Sequence, residues 1–257
     1  MGIIEIDQLT KEYPLGLGQS KIVALEGLNL EVKEGEVFGF LGPNGAGKTT
    51  TIKILVGLIQ QTSGTAQLFG EEGSNAKVRS KIGFLAESPY FYEYLTAEEF
   101  LAFYGQLFDL SKNEIKQRSL ALLKQIGLAS SANVQLRKFS KGMLQRIGIA
   151  QALINDPELV ILDEPMSGLD PIGRKEMREL ILTLKSQGKT IFFSSHIIHD
   201  VEMICDRVGV LAHGRLLAIG RINEITNEKE TLEDTFIRLV QGNDEPHSIL
   251  PPLEGDG

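Results

Sequence analysis

Apolar and polar positions alternate with a period of two in the first third of the chain. In LNLEV, Leu28, Leu30 and Val32 fall on one side and Asn29 and Glu31 on the other, as in a strand with one buried face. IIEIDQL, EVFGFL, TAQLF and KIGFL read as further strands, which predicts a sheet with an antiparallel portion. From Thr96 the period becomes helical. Thr96 with Glu99 and Ser111 with Glu114 fit the capping box, and Ile115, Leu122, Leu123 and Ile126 share a helical face before Gly127 ends it. Residues from about 87 to 152 are therefore expected to form a helical insertion. Strands return in LVILD, in TIFFSS after a helix stopped at Gly188, and in RVGVL and RLLAIG around a His213–Gly214 turn. Short apolar strands alternating with helices predict a parallel sheet covered on both faces. Beyond Gly220 the pattern weakens. Thr231 caps a last predicted helix through LEDTFIRLV, and QGNDEPHSILPPLEGDG is expected to be a flexible tail.

Composition narrows the function. With 257 residues, 42% of them hydrophobic and 23% charged, the chain has the make-up of a soluble protein with a sizeable core. A net charge of −8 argues against nucleic acid as a partner. MGIIEIDQLT has neither a charged leader nor a long apolar segment, and no run approaches the eighteen or so apolar residues of a membrane span, so a cytoplasmic chain is expected. Cys205 stands alone, which excludes an internal disulfide and a Cys-based zinc site; a small buried apolar role is expected for it.

The sharpest chemical signal is GPNGAGKT, Gly42 to Thr49, which matches G-x-x-x-x-G-K-[ST] after the apolar strand EVFGFL and at the start of a helix. Gly42, Pro43, Asn44, Gly45, Ala46 and Gly47 let the backbone curl so that successive N–H groups point at an anion, with the helix start adding positive charge. Lys48 reaches β- and γ-phosphates, Thr49 offers its hydroxyl to Mg²⁺, and Thr50 follows in the same turn. The other half of such a site is a carboxylate at the end of a buried strand. LVILDEP supplies Asp163 for the magnesium shell and Glu164 to orient and deprotonate water. No Asn-Lys-x-Asp guanine reader occurs, which favours ATP. The fold class is α/β: a P-loop NTPase core with a mostly parallel sheet, an N-terminal antiparallel β subdomain and an inserted α-helical subdomain.

RKFSKGMLQR adds a second anion site, because Ser140 caps a helix start left bare by Gly142, yet no lysine-bearing loop accompanies it. In order along the chain stand Tyr13 in KEYP, the phosphate loop, Glu87 in FLAESP, Ser140-Lys141-Gly142, Asp163-Glu164 followed by SGLD to Asp170, and His196 in FFSSHIIHD. This ordered set resembles the ATP-binding cassette family of ABC transporters across about residues 3 to 220. The resemblance implies a nucleotide-binding domain over 1–220 and a C-terminal extension over 221–257. It also implies that two cassettes pair head to tail, each signature closing over the γ-phosphate held by the other. Carried over residue by residue, Tyr13 stacks on adenine, Ser140 and Gly142 contact the partner's γ-phosphate, Asp170 links the two sites, and His196 holds the attacking water. His199 is not expected to make a metal pair with it.

Two positions depart from the family's common pattern. Phe139-Ser140-Lys141-Gly142-Met143 stands where Leu-Ser-Gly-Gly-Gln is usual, and Glu87 replaces a glutamine that senses Mg²⁺ and the nucleophile. Glu87 is a hard oxygen ligand and is retained as a catalytic and metal candidate. With these variants the chain resembles the single-cassette ATPases of type-2 exporters, whose membrane subunits are separate polypeptides. The resemblance implies ATP and Mg²⁺ as ligands, a second cassette and integral membrane permease subunits as partners, and a peripheral place on the cytoplasmic face of the membrane. SPYFYEYLT, with aromatics at 90, 91, 92 and 94, reads either as core of the helical lobe or as a groove for a short helix of the membrane subunit. A soluble cassette machine is the alternative; it usually carries two cassettes, heptad arms or zinc modules, and none is seen. A P-loop kinase leaves Ser140, Asp170 and His196 unexplained.

Overall fold

The computed structural model describes residues 2–14, 21–227 and 230–242. In chain order the strands are β1 (Ile4–Pro14), β2 (Lys21–Val32), β3 (Val37–Leu41), β4 (Ser63–Leu68), β5 (Glu71–Glu72), β6 (Ile82–Leu85), β7 (Leu159–Leu162), β8 (Thr190–Ser195), β9 (Arg207–Ala212) and β10 (Arg215–Gly220). The helices are α1 (Lys48–Leu55), α2 (Ala76–Arg79), α3 (Ala97–Leu107), α4 (Lys112–Gln125), α5 (Lys141–Leu153), α6 (Pro171–Ser186), α7 (Ile198–Ile204), α8 (Ile222–Ile225) and α9 (Leu232–Gln241).

The antiparallel portion forms a sheet of its own, in the order β2-β1-β4-β5, and the second sheet runs β10-β9-β3-β8-β7-β6. In the second sheet β9, β3, β8, β7 and β6 are parallel, and β10 folds back antiparallel on β9. Because successive side chains point to opposite faces, β3 feeds two cores. Val37 and Leu41 join the cluster with Leu162, Phe193, Ile147 and Ile181, whereas Phe38 and Phe40 join the cluster with Ile4, Leu28, Ile161 and Phe192. The second cluster is the filling between the two sheets, with Phe38 and Phe192 rings stacked at 5.8 Å. Gly39 lies between those apolar neighbours because a Cβ there would stand 2.6 Å from Cys205 Sγ. Cys205 packs against the core but is only partly buried, short of the full burial expected of it, and desolvation by its neighbours pushes its thiol well above the usual range.

Helices α3, α4 and α5 lie between β6 and β7 in the chain. Both predicted capping boxes are made: Thr96 and Ser111 accept from the N–H of Glu99 and Glu114, whose carboxylates reach back to the cap N–H groups. Ile115, Leu122, Leu123 and Ile126 are all buried, and Gly127 turns the chain with φ 70°. Residues 86–96 carry no helix, and the helical period read from Thr96 begins as α3 at Ala97. Thr231 caps α9 with Asp234. The predicted tail from 243 onward lies outside the described residues.

Candidate nucleotide site

Parallel register brings four chain segments to one edge of the second sheet. Leu41 is opposite Ser195, Leu162 is opposite Phe193, and Leu85 is opposite Leu162, so the loops after β3, β6, β7 and β8 leave side by side. The carboxyl ends of parallel strands are where open α/β sheets bind ligands. Here those loops carry the phosphate loop, Glu87, Asp163-Glu164 and His196.

A cleft of about 310 Å³ opens there, lined by Asn44, Gly45, Ala46, Gly47, Lys48, Thr49, Thr50, Glu87, Glu164 and Ala24. Gly45 and Gly47 turn the loop with φ of 80° and 111°, and a Cβ at Gly47 would stand 2.7 Å from the Ala24 carbonyl. Both positions therefore require glycine. Lys48 is buried, and its ammonium donates to the carbonyls of Gly42 at 2.7 Å and Pro43 at 3.2 Å, which hold it across its own loop.

Glu164 projects from the end of β7 into the same cleft. Its Oε2 lies 2.8 Å from His196 Nδ1, and its Oε1 stands 3.1 Å from Lys48 Nζ. The second contact is ionic without hydrogen-bond alignment, so Oε1 has no hydrogen-bond donor among the described residues. Asp163 lies deeper. Its Oδ1 accepts from Ser194 Oγ at 2.6 Å and Thr49 Oγ1 at 3.3 Å, and burial holds its carboxyl above the ordinary aspartate range while those two donors pull it back. Ser194 Oγ also accepts from the Glu164 N–H at 2.8 Å.

The hydroxyl of Thr49 and the carboxylate of Asp163 are hard oxygen donors of the kind Mg²⁺ takes. Their contact through Asp163 Oδ1 fits a magnesium position beside the lysine, and Glu87 lines the same cleft as Thr49. Sequence reasoning missed Ser194, which joins Asp163 to Glu164. Its one signal is a hydroxyl inside an apolar strand, two residues before His196.

Four predicted residues stand outside this cleft. Ser140 caps α5 by accepting from the Met143 N–H at 3.3 Å, and Gly142 leaves its first turn open, with Leu169 Cδ2 at 3.9 Å as the nearest atom a Cβ would meet. Asp170 caps α6 by accepting from Gly173 N–H at 2.7 Å. Tyr13 is the penultimate residue of β1, 38% exposed, with the Lys11 ammonium 5.0 Å above its ring. His199 is exposed on α7, and among the described residues no cluster of three or more His, Cys, Asp or Glu is placed to hold a metal.

Residues 25–167 match the model of the ABC transporter family, a span from within β2 to the turn after Glu164. The chain belongs to the ABC transporter ATP-binding family. It is an ABC-type ATPase cassette. An ABC transporter ATP-binding protein of Synechocystis is 50% identical over 234 residues, covering 90% of the cassette and 66% of the relative. The bacitracin transport ATP-binding protein of Bacillus licheniformis is 47% identical over 84% of the cassette and 68% of its own length. The cassette therefore spans about two thirds of the length of these relatives. The lantibiotic transport ATP-binding protein of Streptococcus pyogenes is 39% identical and matched over 96% of its length. Among solved structures, an ATP-binding subunit of an ABC transporter superposes with a TM-score of 0.81 at 31% identity, covering 92% of the cassette and 99% of that chain. A dimeric cassette in a post-hydrolysis state with ADP and phosphate superposes with a TM-score of 0.77 at 28% identity over 85% and 98%.

Proposed function

We propose that this cassette is the ATP-hydrolysing subunit of an exporter, working as a pair of cassettes on separate integral membrane subunits at the cytoplasmic face of the membrane. The observation that carries the chemistry is the Glu164 carboxylate held between His196 Nδ1 and Lys48 Nζ. A general base must reach its proton and be oriented by a further group, and His196 orients this one. Lys48 draws the γ-phosphate to the same point, and the N–H groups of the phosphate loop bear the charge that develops on it. Glu164 takes the proton of a water aimed at phosphorus, and His196, through its second ring nitrogen, keeps water and phosphate in line. Thr49, Asp163 and Glu87 would hold Mg²⁺, which would supply charge neutralisation at the phosphate oxygens. Tyr13 stacks on adenine.

The lid comes from a second copy. The bare start of α5 at Ser140 and Gly142 lies outside the cleft of its own chain, as does Asp170, and both are suited to face a twin. The dimeric neighbour structure supports this arrangement. Closure on ATP and release after hydrolysis then supply two states that a membrane subunit senses. Residues 87–152 are read as the inserted helical lobe that transmits the change, 1–220 as the nucleotide-binding domain and 221–257 as an extension.

Among the described residues no helix is long and apolar enough to cross a membrane, so the path is assigned to other chains. Their docking place is a groove of about 350 Å³ lined by Glu87, Pro89, Tyr90, Phe91, Lys141 and Leu144. Tyr90 is 82% exposed and Tyr94 is 67% exposed, more than core residues would be. The outward direction rests on the bacitracin and lantibiotic transport relatives.

Glu164→Gln tests the chemistry. ATP turnover is expected to fall about a hundredfold or more, while ATP binding persists and size-exclusion chromatography shows an ATP-dependent dimer. Parent-level turnover in Glu164→Gln would remove the base assignment.

A further inference from the structure

Arg146 takes no part in the phosphate cleft, yet its guanidinium touches three helices. On α5, its Nε donates to the Gly142 carbonyl at 3.4 Å. Its Nη1 donates to the Ile126 carbonyl at 3.3 Å, where α4 ends, and stands 3.5 Å from Glu176 Oε2 on α6. A helix C-terminus leaves carbonyls without partners and carries partial negative charge, so a cation belongs there. Gly127, next in the chain, turns with φ 70°, and a Cβ there would meet Nη1 at 3.4 Å, an ordinary contact. Beside the guanidinium lies a cavity of about 320 Å³ lined by Gln125, Gly127, Glu176, Leu180 and Thr183. A polar fork thus bridges the end of α4 to α6 beside their shared apolar core.

The three contacts have a common consequence. Gly142 belongs to the first turn behind Ser140, and Glu176 lies on the helix that Asp170 caps. We propose that Arg146 is a positioning residue that sets the register between the Ser140 and Asp170 helix starts, and so governs how well one cassette lids the ATP of its twin. The proposal rests on the sandwich reading above. Arginine suits the task because its planar fork spans two acceptors at once, which a lysine ammonium on a flexible stem does less well.

The test uses the full chain, with turnover measured in the parent and ATP-driven dimerisation in the Glu164→Gln background. Arg146→Gln is expected to leave the affinity of the monomer for a fluorescent ATP analogue within about twofold. It should weaken ATP-driven dimerisation roughly tenfold and lower kcat by a similar factor, with little change in KM. Arg146→Lys should fall between the two, and Glu176→Gln should shift dimerisation the same way by less. Parent-like dimerisation and kcat in Arg146→Gln would overturn the proposal, as would joint loss of nucleotide binding, dimerisation and melting temperature, which marks a role in folding only. If Arg146→Gln does not fold, Glu176→Gln decides, and parent-like dimerisation there refutes the idea. Failure of Glu164→Gln to dimerise with Arg146 intact would instead refute the sandwich.

Discussion

Glu164 carries a φ of 51°, a left-handed backbone that costs a non-glycine residue about 1–3 kcal/mol and persists only where the surroundings dictate it. Those surroundings are visible. Ser194 takes its N–H, His196 and Lys48 hold its carboxylate, and Pro165 follows it. The strained turn aims the carboxylate into the cleft while Asp163, one residue earlier, stays beneath it beside Thr49. Ser194 joins the two acids, so Ser194→Ala should leave Asp163 short of a donor and loosen Glu164 together. Hydrogen bonds to charged groups contribute about 1.5–3 kcal/mol, and a roughly ten- to hundredfold loss is expected in the Mg²⁺ concentration dependence of ATP turnover. An unshifted Mg²⁺ titration would deny Ser194 that role. The acids themselves were legible in LVILDEP, since an acidic pair ending an apolar strand has few structural uses. Ser194 was not, because its partners lie about thirty residues away and meet it only through the pairing of β7 with β8.

Helix ends are the best-written elements in this chain. Glu99 and Glu114 are held below the ordinary glutamate range, the first mainly by the Thr96 N–H and the second mainly by the Ser111 hydroxyl. Asp234 is lowered in the same way, mainly by the Thr231 hydroxyl. A carboxylate depressed in the folded state contributes stability that is complete above its ordinary pKa and is lost as pH falls through the depressed value. The ends of α3, α4 and α9 are therefore expected to fray in acid, below the usual carboxylate range, as faster amide exchange in their first turns. Glu99→Gln should abolish that acid step in α3, whereas Thr96→Ala, which keeps the N–H, should retain most of it and cost about 1 kcal/mol in urea unfolding. An acid step that survives in Glu99→Gln would place its origin elsewhere. β5, α2 and α8 span two to four residues each and are too short to show a period, so the hydrophobic pattern does not announce them.

At the scale of the whole molecule, two sheets share one core, and the loops with phosphate chemistry gather at one edge while the Ser140 and Asp170 helix starts stand apart from it. Between them lies the aromatic groove. Tyr92 packs on Phe103 at 5.3 Å and Phe91 on Phe100 at 5.6 Å, whereas Tyr90 and Tyr94 turn outward. The aromatic run thus divides into core and surface, a division that neighbouring identical residue types do not announce. The double variant Tyr90→Ala/Tyr94→Ala is expected to reduce capture of the membrane subunit from detergent-solubilised membranes several-fold. Undiminished capture would move the docking surface elsewhere.

The sequence alone determined the chemical identity of this protein, because each motif is a short contiguous run whose residue types are dictated by phosphate, magnesium and water. Strand faces, caps and glycine turns are equally local, and were equally readable. Tertiary structure decided which of these motifs share a cleft and which face away from it. Parallel pairing between strands far apart in the chain placed Ser194 under two acids, and side-chain reach across three helices made Arg146 a junction. Such meetings depend on long-range register and packing, which no window of neighbouring residues contains.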